Sequence, residues 1–230
     1  MKKRIYYEVC FMVIFTLVLT ISCVKDNSSD NSREDTTGQT EEGGNENVSI
    51  NGPNLLQNGG LEKWVVDLPA FYYDIPEGWN VHNNSNVQKN ENIVLKGDFS
   101  ARMKSVESGS TARLDQDISV TYGKKIRIKF NYYVENWKTN GARTYCYFRK
   151  NVNENSNISA NELREFYSSD EYYIIRGGGR GRKYLPSTLN KWQIFDEIID
   201  VPPTANYFEF GINSYYGTTI YVDECYVGTN

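Results

Sequence analysis

The chain has 230 residues, with 25 Lys or Arg against 29 Asp or Glu and a formal net charge of −4. That balance makes no demand for nucleic acid as a partner. One His and four Cys, with no C-x-x-C spacing, exclude the multi-His and paired-Cys ligand sets of typical zinc sites.

The N-terminus reads as an export signal. Met1-Lys2-Lys3-Arg4 precedes an apolar run from Val9 to Ile21, too short for a comfortable membrane span. The run closes on Leu19-Thr20-Ile21-Ser22-Cys23, which resembles the lipobox cut by lipoprotein signal peptidase, with Thr20 where Leu is commoner. That resemblance implies a signal peptide over 1–22 and lipidation of Cys23. Acyl chains on that thiol would hold the protein at a membrane. A plain signal peptide with a chance cysteine and a transmembrane anchor are the competing readings. Residues 23–52, rich in Ser, Asp, Asn, Glu, Gly and Thr, carry too little apolar surface to offset their ordering entropy, and read as a flexible acidic tether. The Lys25-Asp26 step resembles the short acidic export signals of Gram-negative surface lipoproteins, which implies display on the outer membrane at the cell surface.

Residues 53–230 are long enough for one domain with a sizeable core. The 18 Tyr, together with few Leu and many Asn and Gly, favour strands joined by turns. Residues 125–133 alternate, with Ile126, Ile128, Phe130 and Tyr132 on one side and Arg127, Lys129, Asn131 and Tyr133 on the other. Further strands are predicted over 100–106, 112–120, 144–150, 193–201, 207–212 and 218–227, separated by turns such as Glu77-Gly78, Tyr122-Gly123 and Tyr216-Gly217. A long insertion over 150–191 contains one helical turn, 159–166. The pattern predicts an all-β sandwich. Cys146 and Cys225 both fall in apolar strand patterns, which leaves a disulfide and two buried free thiols equally open.

Asn54-Leu55-Leu56-Gln57-Asn58-Gly59-Gly60-Leu61-Glu62 is similar to the opening of the carbohydrate-binding modules of families four, nine and twenty-two. Pro76-Glu77-Gly78-Trp79, Gly97-x-x-Ser100-Ala101-Arg102, Leu114-x-Gln116-x-Ile118 and the closing Tyr221-Val222-Asp223-Glu224-Cys225 follow in family order. The resemblance covers residues 53–230 and implies a galactose-binding-like β-jelly roll, in which Trp79 and Trp192 match structural positions. It further implies a structural Ca2+ held by Glu62, Asp223 and the Lys96–Asp98 turn, with Asp98 as a ligand. Carboxylate and carbonyl oxygens suit that hard cation. The competing reading makes Glu62 and Asp223 edge carboxylates bonded to backbone amides.

A sugar site needs flat rings on the solvent side of a strand, with amides or guanidinium groups for the hydroxyls. Tyr145, Tyr147 and Arg149 share one parity of a strand whose other parity, Thr144, Cys146 and Phe148, faces inward; Trp137 follows Asn136 in a loop. Rim packing is the plainer reading of such rings. Arg176-Gly177-Gly178-Gly179-Arg180-Gly181-Arg182-Lys183 concentrates cations, so Arg180 and Arg182 are candidates for an acidic glycan, against a solvated loop. A lone His82 and the absence of H-E-x-x-H, G-x-S-x-G or P-loop strings give catalysis little support. The sequence therefore points to a non-catalytic surface lipoprotein that binds a polysaccharide. The alternatives are a structural or adhesive subunit binding other surface proteins, and a polysaccharide lyase or glycoside hydrolase.

Overall fold

A computed structural model describes residues 50–66, 73–82, 86–138, 141–153, 156–176 and 184–229. These lie in a unit that runs from Asn47 to Asn230. The predicted signal peptide, the predicted lipidation site Cys23, and the predicted tether up to residue 49 fall outside the described residues.

Alternation along the chain becomes two antiparallel sheets packed face to face, a β-sandwich of jelly-roll type. The back sheet has the order β10 (Trp192–Asp200), β7 (Lys125–Asn136), β12 (Thr219–Thr229), β5 (Ser100–Lys104), β4 (Val87–Asn90). The front sheet has the order β3 (Asn80–His82), β6 (Thr111–Ser119), β11 (Tyr207–Tyr215), β8 (Ala142–Thr144), with β9 (Tyr147–Arg149) also on β11. A small hairpin pairs β1 (Trp64–Val66) with β2 (Asp74–Pro76). Strand β7 shows why the period matters: Ile126, Ile128, Phe130, Tyr132 and Val134 are all buried, and the residues between them face outward. Phe130 bridges the layers, stacked on Phe195 at 4.9 Å and tilted against Phe210 of the other sheet at 5.8 Å. Each such ring contributes roughly 1.5–3 kcal/mol by leaving water. Trp79 is buried against Phe210. Cys146 and Cys225 are both free and buried, and burial pushes the Cys146 thiol up to about 12.

The opening motif is a clasp on the last strand. β12 carries a bulge after Asp223, where Glu224 adopts φ 49°. The Asn54 amide donates to the Cys225 carbonyl at 2.8 Å and its oxygen accepts from Val227 N at 3.1 Å. Gly59 is required beside it, since a Cβ there would lie 2.3 Å from the Cys225 oxygen. Asn58 closes the turn by bonding Lys63 in both directions. Gln116 accepts from Gln57 N at 2.6 Å and donates to the Gly78 carbonyl at 2.8 Å, which accounts for the Leu-x-Gln-x-Ile string.

The insertion differs from its expected form. It holds two helices rather than one turn: α1 (Ala160–Phe166), opened by a Ser159–Glu162 capping box, and α2 (Ser169–Arg176), where Ser168 and Glu171 repeat the same exchange. The second Ser-x-x-Glu was present in the sequence as a start signal. These helices also close the edge of the front sheet: Cys146 N donates to the Ile175 carbonyl and Thr144 Oγ1 to that of Ile174.

Candidate functional site

The outward parity of the front sheet brings together residues from four separate stretches of chain. Strand register sets them out as a grid. One row reads His82, Arg113, Asn213, Arg143; the next Asn80, Asp115, Gly211, with Tyr145 opposite Gly211; the third Asp117, Glu209, Tyr147. At the centre of the grid the backbones approach closely. Gly211 has no side chain, and a Cβ there would stand 2.4 Å from the Tyr145 carbonyl and 3.5 Å from Asp115 Cβ.

Around that centre the charges interlock. Glu209, only 2 % exposed, is paired through Oε1 to Arg113 and through Oε2 to Arg149. Arg149 also donates to both oxygens of Asp117 at 2.8 and 2.9 Å, and to Asn157. Asp115 lies 2.8 Å from Arg113 Nε and 2.9 Å from His82 Nε2, and accepts from Asn80. Burial pushes the Glu209 carboxyl above its ordinary range; Arg113 and Arg149 oppose this, while Asp115 and Asp117 add to it.

Tyr145 and Tyr147 stand over this bed, half-buried, edge to face at 5.1 Å. The Arg113 guanidinium lies 4.9 Å from the Tyr145 ring and 6.0 Å from that of Tyr147. Arg143 lies between Tyr145 and Tyr215, at 4.9 and 5.0 Å. Such contacts hold rings and guanidinium groups in fixed planes.

Among the predicted site residues, Tyr145, Tyr147 and Arg149 share this face. Arg149 is not the open end of a ladder, as expected, but a 7 % exposed strut saturated by carboxylates. Trp137 packs against the core and over Gly141, where a Cβ would meet its ring at 2.2 Å. Arg180 and Arg182 lie outside the described residues. Arg113, Arg143, Asp115, Asp117, Glu209, Gly211 and Asn213 were missed. Their parity was readable, but the strand pairing that juxtaposes them was not.

The turn at Leu95–Asp98 collects the carboxylates expected at a cation. Asp223, fully buried, accepts from Leu95 N, Lys96 N and Glu224 N. Burial pushes its carboxyl up, against those three amides. Glu62 accepts from Asp98 N with Oε2, while its Oε1 is buried without a hydrogen-bond partner, and Gly97 leaves room for it. Asp98 contributes its amide, and its side chain faces solvent. Among the described residues no group of three His, Cys, Asp or Glu gathers as a metal centre. A partnerless buried carboxylate oxygen and a desolvated Asp on one turn fit a hard cation completed by backbone carbonyls.

No protein-family model and no curated protein matches the chain. Solved structures do. The xylan-binding CBM22-1 domain of Paenibacillus barcinonensis Xyn10C superposes with a TM-score of 0.50 at 10% identity, over 79% of this chain and 97% of that one. A family 16 carbohydrate-binding module gives 0.49 at 13%, over 76% and 99%. The enzymatically active domain of tailspike protein 4 from bacteriophage CBA120 gives 0.47 at 14%, over 77% of this chain and 21% of that one. At these identities the likeness is one of fold: the unit has the jelly roll of carbohydrate-binding modules.

Proposed function

We propose that this protein is a non-catalytic, lipid-anchored surface protein that captures polysaccharide on the outer face of its front sheet. The observation that carries the reading is the Tyr145–Tyr147 pair, two rings held half-exposed on the outer face of the front sheet beside Arg113 and Arg143. Pyranose rings have apolar faces that stack on such rings. Asp117 and Asn80, exposed on the same face, offer groups that bond hydroxyls. Because the guanidinium and carboxylate groups already bond one another, little side-chain entropy is lost when sugar arrives. The same bonding supports binding over cleavage, since Glu209 is buried with both oxygens tied to arginines and presents neither to a glycosidic oxygen.

The anchor at Cys23 and display at the outer membrane belong to this proposal on the strength of the sequence alone. So does a structural Ca2+ on Glu62 and Asp223 with backbone oxygens of the Lys96–Asp98 turn. That ion would neutralise Asp223 and occupy the idle Glu62 Oε1, pinning the opening segment to β12. Protons compete for Asp223, so Ca2+ affinity is expected to fall as pH drops through its raised pKa.

A glycan array probed with and without chelator, followed by titration of the best polysaccharide, tests the reading. Tyr147→Ala is expected to weaken binding roughly tenfold, about 1.4 kcal/mol, with an unchanged melting temperature. Full affinity in both Tyr145→Ala and Tyr147→Ala would remove the site assignment. Silence of the folded protein on every glycan would move the reading to an adhesive subunit, for which exposed Ile194 and Ile198 on the edge strand β10 offer an apolar surface.

A further inference from the structure

The back sheet carries a second aromatic row, on the side turned away from the core. Trp192 of β10 faces Tyr133 of β7, Tyr133 faces Tyr221 of β12, Tyr221 faces Arg102 of β5, and Arg102 faces Gln88 of β4. The five positions are direct cross-strand neighbours, so the row crosses the whole sheet, about 19 Å at about 4.8 Å per strand. Ring centroids are 5.8 Å apart between Trp192 and Tyr133, and 5.9 Å between Tyr133 and Tyr221. Tyr221 is buried between its neighbours, whereas Trp192 and Tyr133 are half-exposed and Gln88 is exposed.

The polar end is fixed as firmly as the aromatic end. Arg102 Nε donates to Tyr221 Oη at 3.2 Å, its Nη1 donates to Gln88 Oε1 at 3.2 Å, and Glu135 lies 3.7 Å from its Nη2. Cross-strand packing explains the buried Tyr221. It does not explain why the two large rings that continue the row stay half in water, or why a guanidinium, an amide and a carboxylate gather where the rings stop. Rings followed by planar hydrogen-bonding groups are what an extended sugar chain requires. Two residues further along β7 from Tyr133, Asn131 enters a hollow of about 540 Å3, which Lys129 and Glu224 also line.

We propose that the outer face of the back sheet is a second polysaccharide-binding face, with Trp192 and Tyr133 as its stacking surface and Arg102, Gln88 and Glu135 as its hydroxyl-binding end. The inference rests on the glycan-binding reading of the fold but not on the front-sheet site. With sites on opposite sides of the sandwich, one molecule bridges two polysaccharide chains, or grips one long chain twice with the gain in avidity that linkage brings.

The test uses the full-length protein in affinity electrophoresis and calorimetry against xylan, mixed-linkage β-glucan, galactan and polygalacturonate. A Tyr145→Ala/Tyr147→Ala background is expected to keep measurable binding to the polymer the wild type selects. Trp192→Ala, and separately Arg102→Ala, should then lower that residual binding by about tenfold or more, with melting temperatures checked for each. In the otherwise wild-type protein, either substitution should weaken binding to long polymer by roughly a hundredfold. Residual binding that both substitutions leave intact would overturn the second face, as would a background that binds nothing. Full binding in the Tyr145/Tyr147 background, lost in Trp192→Ala, would instead overturn the front site and keep this one. A wild type that binds none of the polymers would overturn both.

Discussion

The two outer faces of the sandwich manage charge in opposite ways. On the front sheet, Glu209 is buried between Arg113 and Arg149, and buried Asp115 lies against Arg113 and His82; these polar groups form the floor and the rings lie on it. On the back sheet the ion pairs are exposed and separate, such as Arg127 with Asp196, and the rings form their own row beside them. A buried network depends on every member, because each partner removed leaves a charge in a poor solvent. An exposed pair is screened and replaceable. The front face is therefore rigid and fragile, the back face tolerant.

The largest effect that could break this contrast comes from Glu209→Gln. It strips the counter-charge from Arg113 and Arg149 and is expected to cost about 3 kcal/mol in urea unfolding. Glu135→Gln on the back face should cost well under 1 kcal/mol. A similar cost for both would mean that the front network is solvated. Gly211→Ala comes next, at about 2 kcal/mol, because its Cβ would force the β11 backbone away from Tyr145. It should also weaken polysaccharide binding on the front face by displacing Tyr145.

A smaller effect, and a sharper one, is the sign of the pH dependence. Burial raises the folded pKa of Glu209 above its unfolded value, so between the two the folded protein holds a proton the unfolded chain has released. Stability falls as pH rises through that window, and Glu209→Gln should remove the slope. Asp196 behaves oppositely: its hydrogen bonds from Arg127 hold its carboxyl below the usual range, against a desolvation that raises it. Its contribution is present above the unfolded value and is lost as pH falls through the folded one. Denaturant midpoints of Glu209→Gln and Asp196→Asn across the acid range should therefore diverge from wild type in opposite directions.

What could be read in advance follows from the same physics. The opening motif was legible because Asn54, Asn58, Gly59 and Glu62 stand together within nine residues as one recognisable string, although Asn54 and Gly59 act on β12 and Glu62 on Asp98. The sandwich was legible because period-two burial marks its long strand β7 and turn residues separate the strands around it. The front grid was not. Arg113, Glu209 and Arg143 are far apart in the chain, and only the register of β6, β11 and β8 shows that they share one floor. Arg149 was misjudged for that reason: parity correctly placed it on the outer face, but parity is blind to the Asp117 and Glu209 that cover it.

The clasp also sets how the domain carries load. Gly52 lies so close to Thr229 that a Cβ would sit 2.2 Å from its carbonyl oxygen, and the Tyr226 hydroxyl donates to the Gly52 carbonyl. The segment at 50–55 runs along the last strand, bonded again from Leu55 N to the Val227 carbonyl and through the Asn54 amide. A force applied to the chain ahead of residue 50 is thus taken first by these bonds in shear. Neither sheet has to open until the clasp has given way.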